Sequence, residues 1–131
     1  MHYTVNAFTD KEWGDGSEKP EIFNPSELNV EQWVSAAQDG GLRQLILTAK
    51  HHDGFALWDS QCSDFTIAKM TPSTLQPLDE LYEECQKQGI GFGLYYSHVI
   101  DWRDGWEGEG GTTRGHVEKS DNMKDNPMNT W

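Results

Sequence analysis

The sequence predicts an α/β fold with parallel strands, and three observations carry that prediction. Between residues 29 and 97 an amphipathic helical stretch is followed by a near-continuous apolar stretch, and the pair occurs twice. The apolar stretches lack the in–out alternation of a half-solvated sheet, so each is expected to be buried. Each helical stretch closes on glycine, which marks where the chain turns. Helix followed by apolar strand, repeated, sets strands side by side in parallel with helices packed on the sheet.

The elements follow in order. His2-Tyr3-Thr4-Val5-Asn6 reads as a short further strand. Residues 9 to 28 hold Asp, Glu, Gly, Pro and Ser around a lone Trp13, a long loop. Asn29 caps the first helix, with Gln32 placed to reach back as in a capping box. Val30, Trp33, Val34 and Ala37 share one helical face, and Gly40-Gly41 stops it. Residues 43 to 49 form the first buried strand. Leu78, Leu81, Tyr82 and Cys85 mark the apolar face of the second helix, with Pro77 in its first turn and Gly89 at its end. Residues 90 to 97 form the second buried strand. From residue 103 onward the chain is rich in Gly, Asp and Asn and reads as loop or disorder. Two or three strands leave a sheet edge open and a core unfilled, so residues 1–131 are expected to be part of a larger domain.

Composition narrows the classes of partner. Apolar residues make up 35% of the 131 residues, and the mean hydropathy is -0.77. Twenty-two Asp and Glu against ten Lys and Arg give a net charge of -12. That balance argues against a nucleic-acid backbone or an anionic membrane as partner, since both need a basic face. No stretch approaches a membrane span, and the N-terminus lacks the basic-then-apolar pattern of a signal peptide. Six Trp residues supply platforms for carbohydrate rings and interfaces alike. Cys62 and Cys85 have neither metal-ligand nor C-x-x-C spacing, and Cys85 falls on an apolar helical face, which predicts a buried free thiol.

The richest chemistry lies in His51-His52-Asp53-Gly54-Phe55, directly after Leu45-Ile46-Leu47-Thr48-Ala49-Lys50. In α/β proteins the carboxyl end of a strand is where binding and catalytic side chains gather. Adjacent histidines on a regular strand point to opposite faces, so both face one pocket only if the backbone bulges. The pair also has a plain structural reading, and His51, His52, Asp53 and His98 have the donor chemistry for zinc or iron, without H-x-H or H-E-x-x-H spacing. Tyr95 and Tyr96 alternate faces, so one packs under a helix. Trp58 and Trp102 read as packing residues, Asp101 as a carboxylate that orients a loop. Glu107, Glu109, Glu118, Asp121 and Asp125 read as a solvated loop.

These motifs resemble the α-L-fucosidases of glycoside hydrolase family 29. The resemblance rests on Leu47-Thr48-Ala49-Lys50-His51-His52-Asp53-Gly54-Phe55 with Leu57-Trp58-Asp59-Ser60. It rests also on Phe92-Gly93-Leu94-Tyr95-Tyr96-Ser97 with Asp101-Trp102, and on Phe23-Asn24-Pro25 leading to Gln32-Trp33. It runs in register over residues 1–102, leaving 103–131 as the polar segment. The resemblance implies a (β/α)8 TIM-like barrel, typically of about 250 residues, of which residues 1–131 would be an N-terminal fragment with the first few βα units. It implies retaining hydrolysis of terminal α-L-fucosyl residues on glycans, through an aspartate nucleophile and a separate acid/base about 5 Å away. No position here takes either carboxylate, so both are expected on later strands.

What carries over is a sugar-binding set. His51 and His52 match paired histidines that bind fucose hydroxyls, Tyr95 a pocket tyrosine near the nucleophile, and His2 the first-strand histidine. Glu12 and Trp13 match an acidic–aromatic pair, the Glu gripping a hydroxyl and the Trp lining the subsite. The resemblance implies a fucosylated glycan as partner, no cofactor, and a secreted, periplasmic or lysosomal setting. Two other readings stay open at this point: a carbohydrate-binding module that cleaves nothing, and a metal-dependent enzyme built on the histidine pair.

Overall fold

The computed structural model describes residues 1–10, 17–69, 75–98, 100 and 101. Helix α1 spans Val30–Asp39, and Asn29 begins it from an extended backbone, its side-chain oxygen accepting the Gln32 amide at 2.9 Å. Two bonds close the helix: Leu42 N–H to the Ala37 carbonyl at 2.9 Å and Gly41 N–H to that of Gln38 at 2.8 Å. That is the Schellman pattern, and the left-handed residue it requires is Gly41, at φ 76°. Helix α2 spans Pro77–Gln88 and closes the same way on Gly89, at φ 70°, with Ile90 N–H bonded to Cys85. Lys87 in its last turn and Asp79 and Glu80 in its first complement the helix dipole.

Strands β1 (Gln44–Lys50) and β2 (Gly91–Tyr96) pair in parallel, with Leu45 opposite Phe92, Leu47 opposite Leu94 and Thr48 opposite Tyr95. The fold is therefore α/β with parallel strands, as the helix–strand repetition predicts. Pairing shifts between Thr48 and Lys50, so that Lys50 lies opposite Tyr96. Leu45, Leu47 and Ala49 are buried; Leu45 and Leu47 share one core with Val34, Ala37, Leu81, Cys85 and Ile90. Ile46 on the other face is 49% exposed.

β2 departs from the expectation of a buried strand. Leu94 is 53% exposed, and Tyr95 and Tyr96 are about as open. An apolar run reports what a strand can bury, whereas burial needs a neighbour, and among the described residues none pairs with the outer edge of β2. The expected strand at residues 2–6 also differs. Met1 makes the backbone bonds to β1, with the Ile46 carbonyl and the Thr48 amide at 2.8 and 3.0 Å. The chain then turns into a 3-10 helix at Val5–Phe8, which lets Val5 bury fully.

After β1 the chain doubles back. A turn bonds Gly54 N–H to the His51 carbonyl at 3.1 Å, and Ala56 returns beside Lys50 in an antiparallel bridge. Beneath it lies a chain of aromatic rings. Phe23 meets Phe55, Tyr3 and Phe8 at centroid distances of 5.1, 5.1 and 5.2 Å, and Phe55 meets Phe65 at 5.1 Å. These edge-on and tilted contacts are the favoured aromatic geometry and set the turn on a rigid floor. Cys85 is a buried free thiol, as its place on the helix predicts, and Cys62 is an exposed one. No helix among the described residues is long and apolar enough to cross a membrane.

Candidate functional site

The site forms where β1 and β2 end. The pairing of β1 with β2 shifts at Thr48/Lys50, just before β1 ends. Beyond it, His51 and His52 stand in the turn with ring centroids 4.2 Å apart. Tyr95 comes from the neighbouring strand, 5.8 Å from His51. His2 arrives beside β1, its ring edge-on to His51 at 5.1 Å and 6.5 Å from Tyr95. His2 Nδ1 lies 3.4 Å from the Thr48 hydroxyl. Four of the residues singled out in the sequence thus meet at one strand end. Glu12 and Trp13 lie outside the described residues, as do Trp102 and the segment 103–131.

Asp53 shapes the turn from below. It is fully buried, its Oδ1 accepting the Phe55 amide at 2.8 Å and its Oδ2 facing the Asn6 carboxamide at 3.4 Å. Burial pushes its carboxyl up to about 6, against the opposing pull of the Phe55 amide and the Thr4 hydroxyl. Gly54 follows at φ 82°, a left-handed conformation natural to glycine. The Asp-Gly step of the motif is therefore the turn's scaffold.

A second layer holds the histidines in place. Ser97 is bonded twice to Lys50: its amide donates to the Lys50 carbonyl at 2.8 Å, and Lys50 Nζ donates to its carbonyl at 3.1 Å. The Ser97 hydroxyl lies 2.6 Å from His52 Nδ1 and 2.6 Å from the Ile100 carbonyl. Lys50 also pairs with Asp101 at 2.6 Å and lies 5.1 Å above the centre of the Tyr96 ring. Asp101 thus ties the loop after β2 to the end of β1, the orienting role its position suggested. Tyr96 packs towards Trp58, with centroids 6.1 Å apart, while Tyr95 takes the histidine side.

Sequence reasoning missed Ser97 and the pairing of Lys50. Each acts on a partner about fifty positions away, so no local pattern reveals it; the one signal was a polar residue ending each apolar strand.

Burial and nearby charge disfavour protonation of His51 and His52. Burial lowers His51 to about 4, and its neighbours His52, His2 and Lys50 disfavour a positive charge on it further. Burial and Lys50 lower His52 as well, with Asp101 opposing. A neutral imidazole offers one donor and one acceptor, which suits hydroxyl groups; an imidazolium would offer donors alone. Among the described residues no three His, Cys, Asp or Glu side chains are grouped to hold a metal ion.

Comparison with known proteins adds an independent line. A sequence model described as Alpha-L-fucosidase matches residues 2–128. The chain is 46% identical over 99 residues to alpha-L-fucosidase 1 of Arabidopsis thaliana, an alignment covering 74% of this chain and 20% of that protein. Among solved structures it resembles a glycoside hydrolase 29 family member from an unknown rumen bacterium. The TM-score is 0.73 at 35% identity, over 80% of this chain and 20% of that one. It also resembles an alpha-L-fucosidase from Lactobacillus casei in complex with its alpha-L-fucose product. There the TM-score is 0.63 at 34% identity, over 73% of this chain and 32% of that one. The chain spans about a fifth of the length of the curated relatives it matches.

Proposed function

Since this chain belongs to the α-L-fucosidase family, a family of glycoside hydrolases, we propose that it supplies the sugar-binding part of a retaining α-L-fucosidase. In this reading β1 and β2 are early strands of a (β/α)8 barrel, and His2, His51, His52 and Tyr95, with Glu12 and Trp13, hold a terminal α-L-fucosyl residue of a glycan. The supporting observation is the meeting of His2, His51 and Tyr95, with ring centres 5.1 to 6.5 Å apart, at the carboxyl end of two parallel strands. Fucose suits such a set: its vicinal hydroxyls match neutral imidazoles, and its methyl-bearing flank matches an aromatic ring.

The nucleophile and the acid/base belong outside this chain in the proposal. Retention needs two carboxyls about 5 Å apart on either side of the scissile bond. Of the carboxylates near the histidines, Asp53 is sealed into its turn and Asp101 is paired with Lys50. Hydrogen bonds that the histidines accept from sugar hydroxyls would strengthen as positive charge develops on the sugar, and so contribute to catalysis without breaking the bond.

Calorimetric titration with L-fucose, run beside an aryl α-L-fucoside assay, tests both halves. The expected outcome is measurable affinity that falls about tenfold or more in His51→Ala, with no release of the aryl group. Turnover by the purified chain, lost in His52→Ala, would overturn the division of labour. Absence of affinity for L-fucose would overturn the sugar site itself.

A further inference from the structure

Ser97 has one hydroxyl proton and two neighbours at 2.6 Å, the Ile100 carbonyl and His52 Nδ1. A carbonyl can only accept, so the proton of Ser97 goes to Ile100. The contact with His52 then needs its proton from the imidazole. We propose that Ser97 is a positioning residue that fixes His52 as the Nδ1–H tautomer, so that Nε2 carries a lone pair and can only accept. The significance for fucose rests on the sugar-site reading above; the tautomer assignment rests on the geometry alone.

The hydroxyl is well placed to enforce this choice. Ser97 is buried, and its two backbone bonds to Lys50 hold it at the junction of β1 and β2. Its acceptor Ile100 lies next to Asp101, which the Lys50 ion pair anchors. The lowered affinity of His52 for a second proton keeps the ring in the neutral form, in which the tautomer decides which nitrogen donates. Whatever meets Nε2 must then bring a hydrogen. A sugar hydroxyl can do so and an ether oxygen cannot, so the tautomer discriminates between a free hydroxyl and a substituted one at that point of the ligand.

The test is long-range nitrogen–proton correlation NMR on the full chain carrying nitrogen-15 histidine, with His52 assigned from the His52→Ala spectrum. The expected wild-type pattern is protonated Nδ1 and bare Nε2. Ser97→Ala is expected to move His52 towards the Nε2–H form that an unrestrained imidazole favours, and Ser97→Thr to restore Nδ1–H. L-Fucose affinity should fall about three- to tenfold in Ser97→Ala and return in Ser97→Thr. A wild-type His52 protonated at Nε2, or a tautomer unchanged by Ser97→Ala, overturns the proposal. If Ser97→Ala does not fold, the wild-type and Ser97→Thr spectra still decide it. The predicted tautomer in a chain with no affinity for fucose upholds the role of Ser97 and overturns the sugar site instead.

Discussion

Asp53 and His51, two positions apart, are displaced in opposite directions by the same cause, burial beneath and within one turn. The Asp53 carboxyl rises from 3.8 to about 6, so the folded chain holds its proton more tightly than the unfolded chain does. Its contribution is full below about 4 and is lost as pH rises through about 6, a change on the order of 2–3 kcal/mol. His51 falls from 6.5 to about 4, and its contribution is full above 6.5 and lost as pH falls towards 4. The two slopes oppose each other across the shared window and partly mask one another in the wild type. Asp53→Asn keeps an acceptor for the Phe55 amide and removes the charge. Denaturant titrations across that range should show the variant gaining on the wild type as pH rises. A constant difference between them would mean that Asp53 is not displaced. At this scale the sequence revealed His51 and His52 through their residue types, and His2 and Tyr95 through the family resemblance, but not Ser97 or the Lys50–Asp101 pair, which distant chain segments assemble.

The helices were the most legible elements, because their boundaries are decided locally. Asn29 bonds a residue three positions on, and Gly41 and Gly89 adopt left-handed backbone that their own bonds require. Asn29→Ala is expected to cost about 1 kcal/mol through the lost cap. At Gly89 an added Cβ would meet nothing within 4 Å, so the cost of Gly89→Ala, about 1 kcal/mol, comes from its φ of 70° alone. Chemical denaturation checks both, and a neutral Gly89→Ala would show that the backbone there relaxes. The floor under the histidine turn is more demanding. Phe23 is fully buried among Tyr3, Phe8 and Phe55, and Phe23→Ala should cost about 3–5 kcal/mol and broaden the His51 and His52 resonances. The register shift between Thr48 and Lys50 was not legible, since it arises from pairing with β2 rather than from any residue within β1.

For the whole molecule, one sheet face is packed under α1 and α2 while Ile46 on the other face and Leu94 and Tyr95 on β2 stay open. Reading apolar runs as buried strands overestimated coverage, because sequence patterns state a capacity and the neighbours decide its use. Open apolar side chains beside an edge that none of the described residues pairs with favour association between copies. Leu94→Lys should leave stability within about 0.5 kcal/mol and reduce self-association in sedimentation velocity; unchanged sedimentation would count against the edge as the cause. The contrast between the two cysteines has a practical side. Cys62 meets solvent, whereas Cys85 lies on the buried face of α2 with its thiol held above its usual range by burial. A maleimide dye should therefore couple once to the native chain and a second time only when α2 lifts from the sheet. Counting dye per molecule against time would make the chain its own clock for that opening.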